Sequence, residues 1–161
     1  MNIRIATEKD KPLIWSIIEP VFRAGETYAI DSNIGRGAAI DYWFGPDKTT
    51  FVLEQDGDIL GTYYIRTNQA GGGSHVCNCG YITAAHASGR GIARKMCEHS
   101  LEYAKSKGYL GMQFNFVVSS NVRAVALWKS IGFNTIGILP RAFNHPALGY
   151  MDALVMFKAL D

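Results

Sequence analysis

The sequence predicts an α/β domain built on one sheet of mixed strand direction. Three observations carry this. Apolar residues alternate in several short runs and switch to a helical period of about 3.6 in others. The two kinds of run interleave in the order strand, helices, three strands, helix, strand, helix, two strands. No repeat or low-complexity tract divides the chain, so its 161 residues read as a single domain, 1–161, large enough for a real core.

"NIRIA" opens the chain as a short strand. Thr7 to Asp10 has the form of a capping box and starts a helix through about Val21. The loop "RAGETY" leads to a short helix around Ala38–Phe44. Thr50–Gln55, the turn Asp56-Gly57-Asp58 and Ile59–Asn68 form a hairpin. The glycine run Gly71–Gly73 connects to a strand over His75–Thr83.

From Gly91 the period becomes helical, with Ile92, Ala93, Met96, Cys97, Leu101 and Ala104 on one stripe and Gly108 as the stop. Leu110–Val118 is the next strand. Asn121 is a good N-cap for a helix whose stripe is Ala124, Leu127, Trp128 and Ile131. Phe133–Leu139 and Leu148–Lys158 complete a strand pair, with His145 in the loop between them.

Composition narrows the function. Hydrophobic residues make up 48% and charged residues 19%, which excludes a disordered chain. The net charge of +2 is scattered, with no basic stripe for a nucleic acid. No apolar run reaches bilayer length and no signal-peptide core follows the first Met, so no membrane partner and a cytoplasmic location are expected. Three cysteines are an odd number for a disulfide framework. His75, Cys77 and Cys79 are strung along one strand face rather than converging, so no metal site is expected.

The chemistry concentrates at Ser88-Gly89-Arg90-Gly91-Ile92-Ala93, between a strand and a helix start. Unpaired amides and the helix dipole favour an anion there, and glycine permits close approach. A plain tight turn remains the other reading. Arg94 stands where a dinucleotide fingerprint needs its third glycine, and no P-loop motif occurs anywhere.

One strand further on, "NVRAVALWKSIGF" (Asn121 to Phe133) has the form N-x-x-A-x-x-L-[aromatic]-x-x-x-G-F. Together with the "GRGIA" turn and the opening "IRIATEKD", it resembles the GNAT superfamily of acyl-CoA-dependent N-acetyltransferases over almost the whole chain. That resemblance implies a mostly antiparallel central sheet of about seven strands flanked by about four helices, with splayed fourth and fifth strands. It implies acetyl-CoA as co-substrate and direct attack of an amine on the thioester. The acceptor is expected to be a small-molecule amine. A protein or peptide N-acetyltransferase and a non-catalytic acyl-CoA sensor are the alternatives, and a homodimer is compatible with each.

The resemblance also implies residue roles. Ser88, Gly89, Arg90, Gly91, Ile92 and Ala93 match the turn that holds the coenzyme pyrophosphate, with Ser88 replacing the usual Gln or Arg. Tyr81, Ile82 and Thr83 lie on the strand that lines the pantetheine arm, where Gly80 would host a bulge. Trp128 stands where many members place a Tyr that protonates the departing thiolate, and an indole is no useful acid. Asn121 is then either a cap alone or a cap that also contacts the sulfur.

Asn78 and Asn115 interrupt apolar strands and are expected to meet the acceptor, or else to be satisfied locally. With Asn121 and "FRAGETY", they resemble a subgroup that includes yeast azetidine-2-carboxylate N-acetyltransferase, which acetylates proline-like amino acids. Glu26, Thr27 and Tyr28 are the acceptor-loop candidates. Glu26 is either a base for the acceptor ammonium or a solvated carboxylate.

Overall fold

A computed structural model describes residues 1–161. Strand β1 (Asn2–Ile5) leads through a 3₁₀ turn into helix α1 (Lys11–Ala24) and then α2 (Arg36–Trp43). Strands β2 (Lys48–Gln55), β3 (Asp58–Thr67) and β4 (Val76–Thr83) follow. Next come helix α3 (Ile92–Ser106), strand β5 (Gly111–Val118) and helix α4 (Val122–Ile131). The chain ends in the hairpin of β6 (Asn134–His145) and β7 (Gly149–Ala159). The sheet order is β1-β2-β3-β4-β5-β7-β6, and every neighbour is antiparallel except β4 and β5.

That exception shapes the molecule. β4 and β5 pair only at Val76↔Gly111 and Cys77↔Met112 and then separate. The expected splay of the fourth and fifth strands is therefore present, and it opens the sheet at its centre.

Helices cover the two faces. On one, α3 buries Ile92, Met96, Cys97, Leu101 and Ala104 against β3 and β4. Tyr63 from the sheet bonds His99 at 2.7 Å, and Tyr81 bonds Ser100 at 2.7 Å. On the other face, α1 buries Ile14, Ile17, Ile18 and Phe22 at helical spacing. α2 is held by polar bonds as well as apolar contact. Trp43 Nε1 donates to Thr62 Oγ1 at 3.0 Å, and the Thr50 hydroxyl donates to the Trp43 carbonyl at 2.8 Å. Every buried polar side-chain atom has a partner.

Several boundaries differ from the sequence expectation. Thr7 and Asp10 do meet, the Thr7 amide donating to the Asp10 carboxylate at 2.7 Å. They close a 3₁₀ turn over Glu8–Asp10, and the α-helix starts at Lys11. Arg4 on β1 clamps the same carboxylate at 2.8 and 2.9 Å, which ties the turn to the sheet. β6 runs to His145 rather than stopping at Leu139. Its register shifts between Leu139 and Phe143, where Arg141 takes φ 51, and this breaks the alternation that marks a strand. His145 closes the β6–β7 turn, its Nδ1 accepting from Ala147 and Leu148 at 3.1 Å each.

Candidate active site

The Gly89–Gly91 turn takes left-handed backbone, with φ 78 at Gly89 and φ 75 at Gly91. Only glycine adopts this cheaply. A Cβ at either position would meet nothing within 4 Å, so conformation and not crowding demands the glycines. The turn delivers the chain to the start of α3, where no side chain caps Gly91. The first-turn amides therefore face open space with the positive end of the helix dipole behind them. A phosphate fits such a place.

A second set of free backbone groups lies beside it. Asn68 N–H donates to the Val76 carbonyl at 2.9 Å, and Ala84 N–H to the Leu60 carbonyl at 2.9 Å. This alternation turns the amides of Asn78, Gly80 and Ile82 toward β3, and those of Cys79, Tyr81 and Thr83 toward the side that β5 has left. An extended arm bearing amides can pair there as an added strand. The Tyr28 hydroxyl already does so in miniature, donating to the Tyr81 carbonyl at 3.1 Å.

The expected bulge at Gly80 is absent. β3 and β4 keep one register from Gly61↔Thr83 to Thr67↔Cys77. Gly80 is small for another reason: a Cβ there would lie 2.6 Å from the ring of Tyr64, its partner across the ladder. The free strand edge, without a bulge, presents the amides.

Turn and edge belong to one cleft of about 730 Å³ that passes through the β4–β5 opening. One end is lined by Ser88, Gly89, Gly91, Ile92 and Ala93, the middle by Tyr81, Ile82, Thr83, Asn121 and Trp128. Asn121 sits at the start of α4 but makes no capping bond with its side chain, which leaves its amide free beside the cleft. Trp128 is 8% exposed and packs against Tyr81 and Phe114 at 5.2 and 5.1 Å between ring centres.

The other end is lined by Thr27, Tyr28, Tyr42, Tyr64, Asn78 and Asn115. Both asparagines are bonded within the protein. Asn78 Nδ2 donates to the Gln113 carbonyl at 2.9 Å, bridging the opening, and Asn78 Oδ1 accepts from Arg66 Nε at 3.3 Å. Asn115 Nδ2 donates to Asn68 Oδ1 at 2.6 Å, and its Oδ1 accepts from Gln113 Nε2 at 3.0 Å. Burial raises the hydroxyls of Tyr28 and Tyr64 well above the ordinary tyrosine range, so both stay protonated donors.

Two expected residues lie outside the cleft lining. Glu26 is exposed, and Arg90 is exposed with its guanidinium on Gln55 at 3.2 Å. The cations that do border the cleft are Arg66, Arg94 and Arg123. Arg94 was within reach of sequence reasoning, because it lies in the first turn of α3 immediately after the glycine turn. Arg66 carried no such signal, as its place depends on pairing with a strand across a variable connection.

A helix start open to an anion, feeding an opened strand edge, is the layout that the resemblance implies for an acyltransferase using the thioester of a phosphate-bearing coenzyme. The family described as Acetyltransferase (GNAT) matches residues 14–133, and the chain belongs to it. It is thus an acyl-CoA-dependent N-acetyltransferase. A GCN5-related N-acetyltransferase from Kribbella flavida is 38% identical, with a TM-score of 0.93 over 99% of this chain and 97% of that one. N-acetyltransferase aca1 of Schizosaccharomyces pombe is 29% identical over 150 residues, 81% of this chain and 71% of that protein. The yncA structure from Salmonella typhimurium, solved with its cofactor acetyl-CoA, shares the fold at 19% identity and a TM-score of 0.86, over 100% of this chain and 94% of that one.

Proposed function

We propose that the acceptor is the amine of a small molecule of amino-acid type, with proline-like amino acids the first to test. The observation that carries this is the character of the acceptor end. It is walled by Tyr28, Tyr42 and Tyr64, supplied with amides by Asn78 and Asn115, and bordered by no Asp, Glu or His. A small polar acceptor finds donors and acceptors there, while a basic peptide finds no counter-charge.

Acetyl-CoA supplies the activated acetyl thioester. The amides at the start of α3 hold its pyrophosphate, and the free edge of β4 aligns its arm. The Cys79 and Tyr81 amides are the donors available to the thioester carbonyl as negative charge grows on its oxygen. Losing one oxyanion-hole donor in a serine protease costs about 2.7–4 kcal/mol, which sets the order of magnitude for such an amide here. Asn121 offers its amide to the sulfur. The tyrosine hydroxyls orient the amine without accepting its proton.

The test is release of the CoA thiol with a panel of amino acids, their analogues and short peptides. Turnover with small amino acids is expected. Acetylation of peptide N-termini alone would replace this reading, and coenzyme binding without thiol release from any amine would indicate a sensor.

A further inference from the structure

The acceptor end of the cleft holds one charged side chain, and it is basic. Arg66 stands on β3 opposite Asn78 and is partly buried. Its Nε donates to Asn78 Oδ1 at 3.3 Å, which orients the guanidinium plane. Its Nη1 lies 3.7 Å from the Asp47 carboxylate, which is 55% exposed, so water screens that pair. A guanidinium has five N–H donors in a planar fork, and these contacts leave most of them unused.

We propose that Arg66 binds a carboxylate of the acceptor, so that the enzyme selects short amino acids over neutral or dicationic amines. This rests on the small-molecule reading above. Three further observations support it. No carboxylate or imidazole lines the cleft to compete for the fork. The other cleft cations, Arg94 and Arg123, lie in the first turns of α3 and α4 and belong to the coenzyme's side.

The third is a second cation behind the tyrosine wall. Lys48 Nζ sits 4.4 Å from the ring centre of Tyr42 and 5.1 Å from that of Tyr64, with its side chain 9% exposed. Arg66 and Lys48 outweigh the exposed Asp47, so the local field is positive. That field repels an acceptor with an additional cation and draws in an anion.

The spacing suits a short molecule. The Arg66↔Asn78 pair lies two residues along the ladder from Tyr64↔Gly80, about 7 Å at strand rise. The amine reaches the free edge of β4 near Gly80 while the carboxylate turns back to the fork. Paired N–H donors facing two carboxylate oxygens give direction as well as attraction.

The experiment compares amino acids with their carboxamides as acceptors, with kcat/KM expressed per unprotonated amine because amidation lowers the amine pKa: proline, azetidine-2-carboxylic acid, alanine and β-alanine. The wild-type enzyme should favour the acids by about tenfold or more in kcat/KM, the effect of one charge-assisted contact. Arg66→Gln should lower kcat/KM for the acids about 10- to 100-fold, mainly through KM, and bring the acid-to-amide ratio toward one. Arg66→Lys, which keeps charge but not the fork, should fall between.

Because Arg66 also holds Asn78, thermal unfolding is measured alongside. If Arg66→Gln does not fold, competition on the wild type decides the matter. Tetrahydrofuran-2-carboxylate, which lacks the amine, should compete with the acceptor, and its carboxamide should not. Equal use of acids and amides by the wild type, a preference that survives in Arg66→Gln, or equal competition by the two amine-free compounds overturns the Arg66 assignment alone. Acetylation of peptide N-termini with no small acceptor used overturns the small-molecule reading and this proposal together.

Discussion

The side-chain amide of Asn78 donates to the backbone carbonyl of Gln113 at 2.9 Å, just beyond the last backbone pair between β4 and β5, Cys77↔Met112. The ladder does not simply stop where the sheet opens. A side chain takes over the bond that a strand amide would have made, across a gap already too wide for backbone to span. Asn78 thus holds the inner end of the opening while its flank lines the cleft.

Asn78→Ala removes that bridge and leaves the Gln113 carbonyl facing the cleft. The expected stability loss is about 1–3 kcal/mol, the cost of unpairing a buried polar group. Acceptor KM should rise, because the inner end of the opening loses its fixed width, while acetyl-CoA affinity stays near wild type. Thermal unfolding, acceptor kinetics and calorimetry read the three quantities separately. An unchanged melting temperature would show that the bridge contributes little.

Gly91→Glu should weaken acetyl-CoA binding on the order of tenfold or more, since it sets a carboxylate against the anion site. It also forces a side chain onto φ 75. There is space for the added atoms, so the fold should survive with a modest loss from strain. Calorimetry with acetyl-CoA checks this, and unchanged affinity would remove the phosphate from the turn.

Much of this site was legible in the residues. The glycine turn by itself read equally as an anion site or a plain tight turn, and only the second motif, Asn121 to Phe133, with the family it resembles, favoured the anion. Asn78 and Asn115 stood out because amides are costly in apolar strands, yet their partners were invisible. Asn78 bonds a backbone carbonyl on β5, and a carbonyl has no identity in a sequence. Gly80 misled for a related reason. Glycine in a strand suggests a bulge or a close approach, and only the register with Tyr64 distinguishes them. The outer half of β6 was hidden by the shift around Arg141.

Trp128→Phe should keep kcat within the same order of magnitude. An indole cannot supply a proton near neutral pH, and a thiolate with a pKa of about 8.5 leaves without one. Phe retains ring contact with Tyr81 and Phe114, so the loss should appear mainly in the melting temperature. A collapse of kcat with fold and coenzyme affinity intact would assign the indole N–H a direct contact with the reacting groups.

Acid stability should depend on Asp10. The Arg4 guanidinium and the Thr7 amide hold its carboxyl down to about 2. A carboxyl with a folded pKa below its unfolded value of about 3.9 stabilises the fold at higher pH. That contribution is complete above the unfolded value and is lost as pH falls from about 4 toward 2. Asp10→Asn should therefore melt lower than wild type at pH 7, by the equivalent of about 1.5–3 kcal/mol for a charged hydrogen bond. The gap should close on acidification below pH of about 4, and a gap independent of pH would contradict the linkage.

The pH dependence of turnover should belong to the acceptor rather than to the enzyme. The amine of a free amino acid, beside its own ionised carboxylate, titrates above the value of about 8 for a chain terminus, so nearly all of it is ammonium at neutral pH and must lose a proton before attack. No Asp, Glu or His borders the cleft to take that proton. Burial holds the nearby Tyr28 and Tyr64 in their protonated forms, so they cannot take it either. Glu26 is exposed and outside the cleft. The proton must leave to water, before or during entry of the amine. kcat/KM should then rise with pH up to the pKa of the acceptor amine and level off there. Two acceptors with different amine pKa values should give profiles displaced by that difference, and Glu26→Gln should follow the wild-type curve. An inflection fixed at one pH for every acceptor would reveal an enzyme base, and its disappearance in Glu26→Gln would identify that base as Glu26.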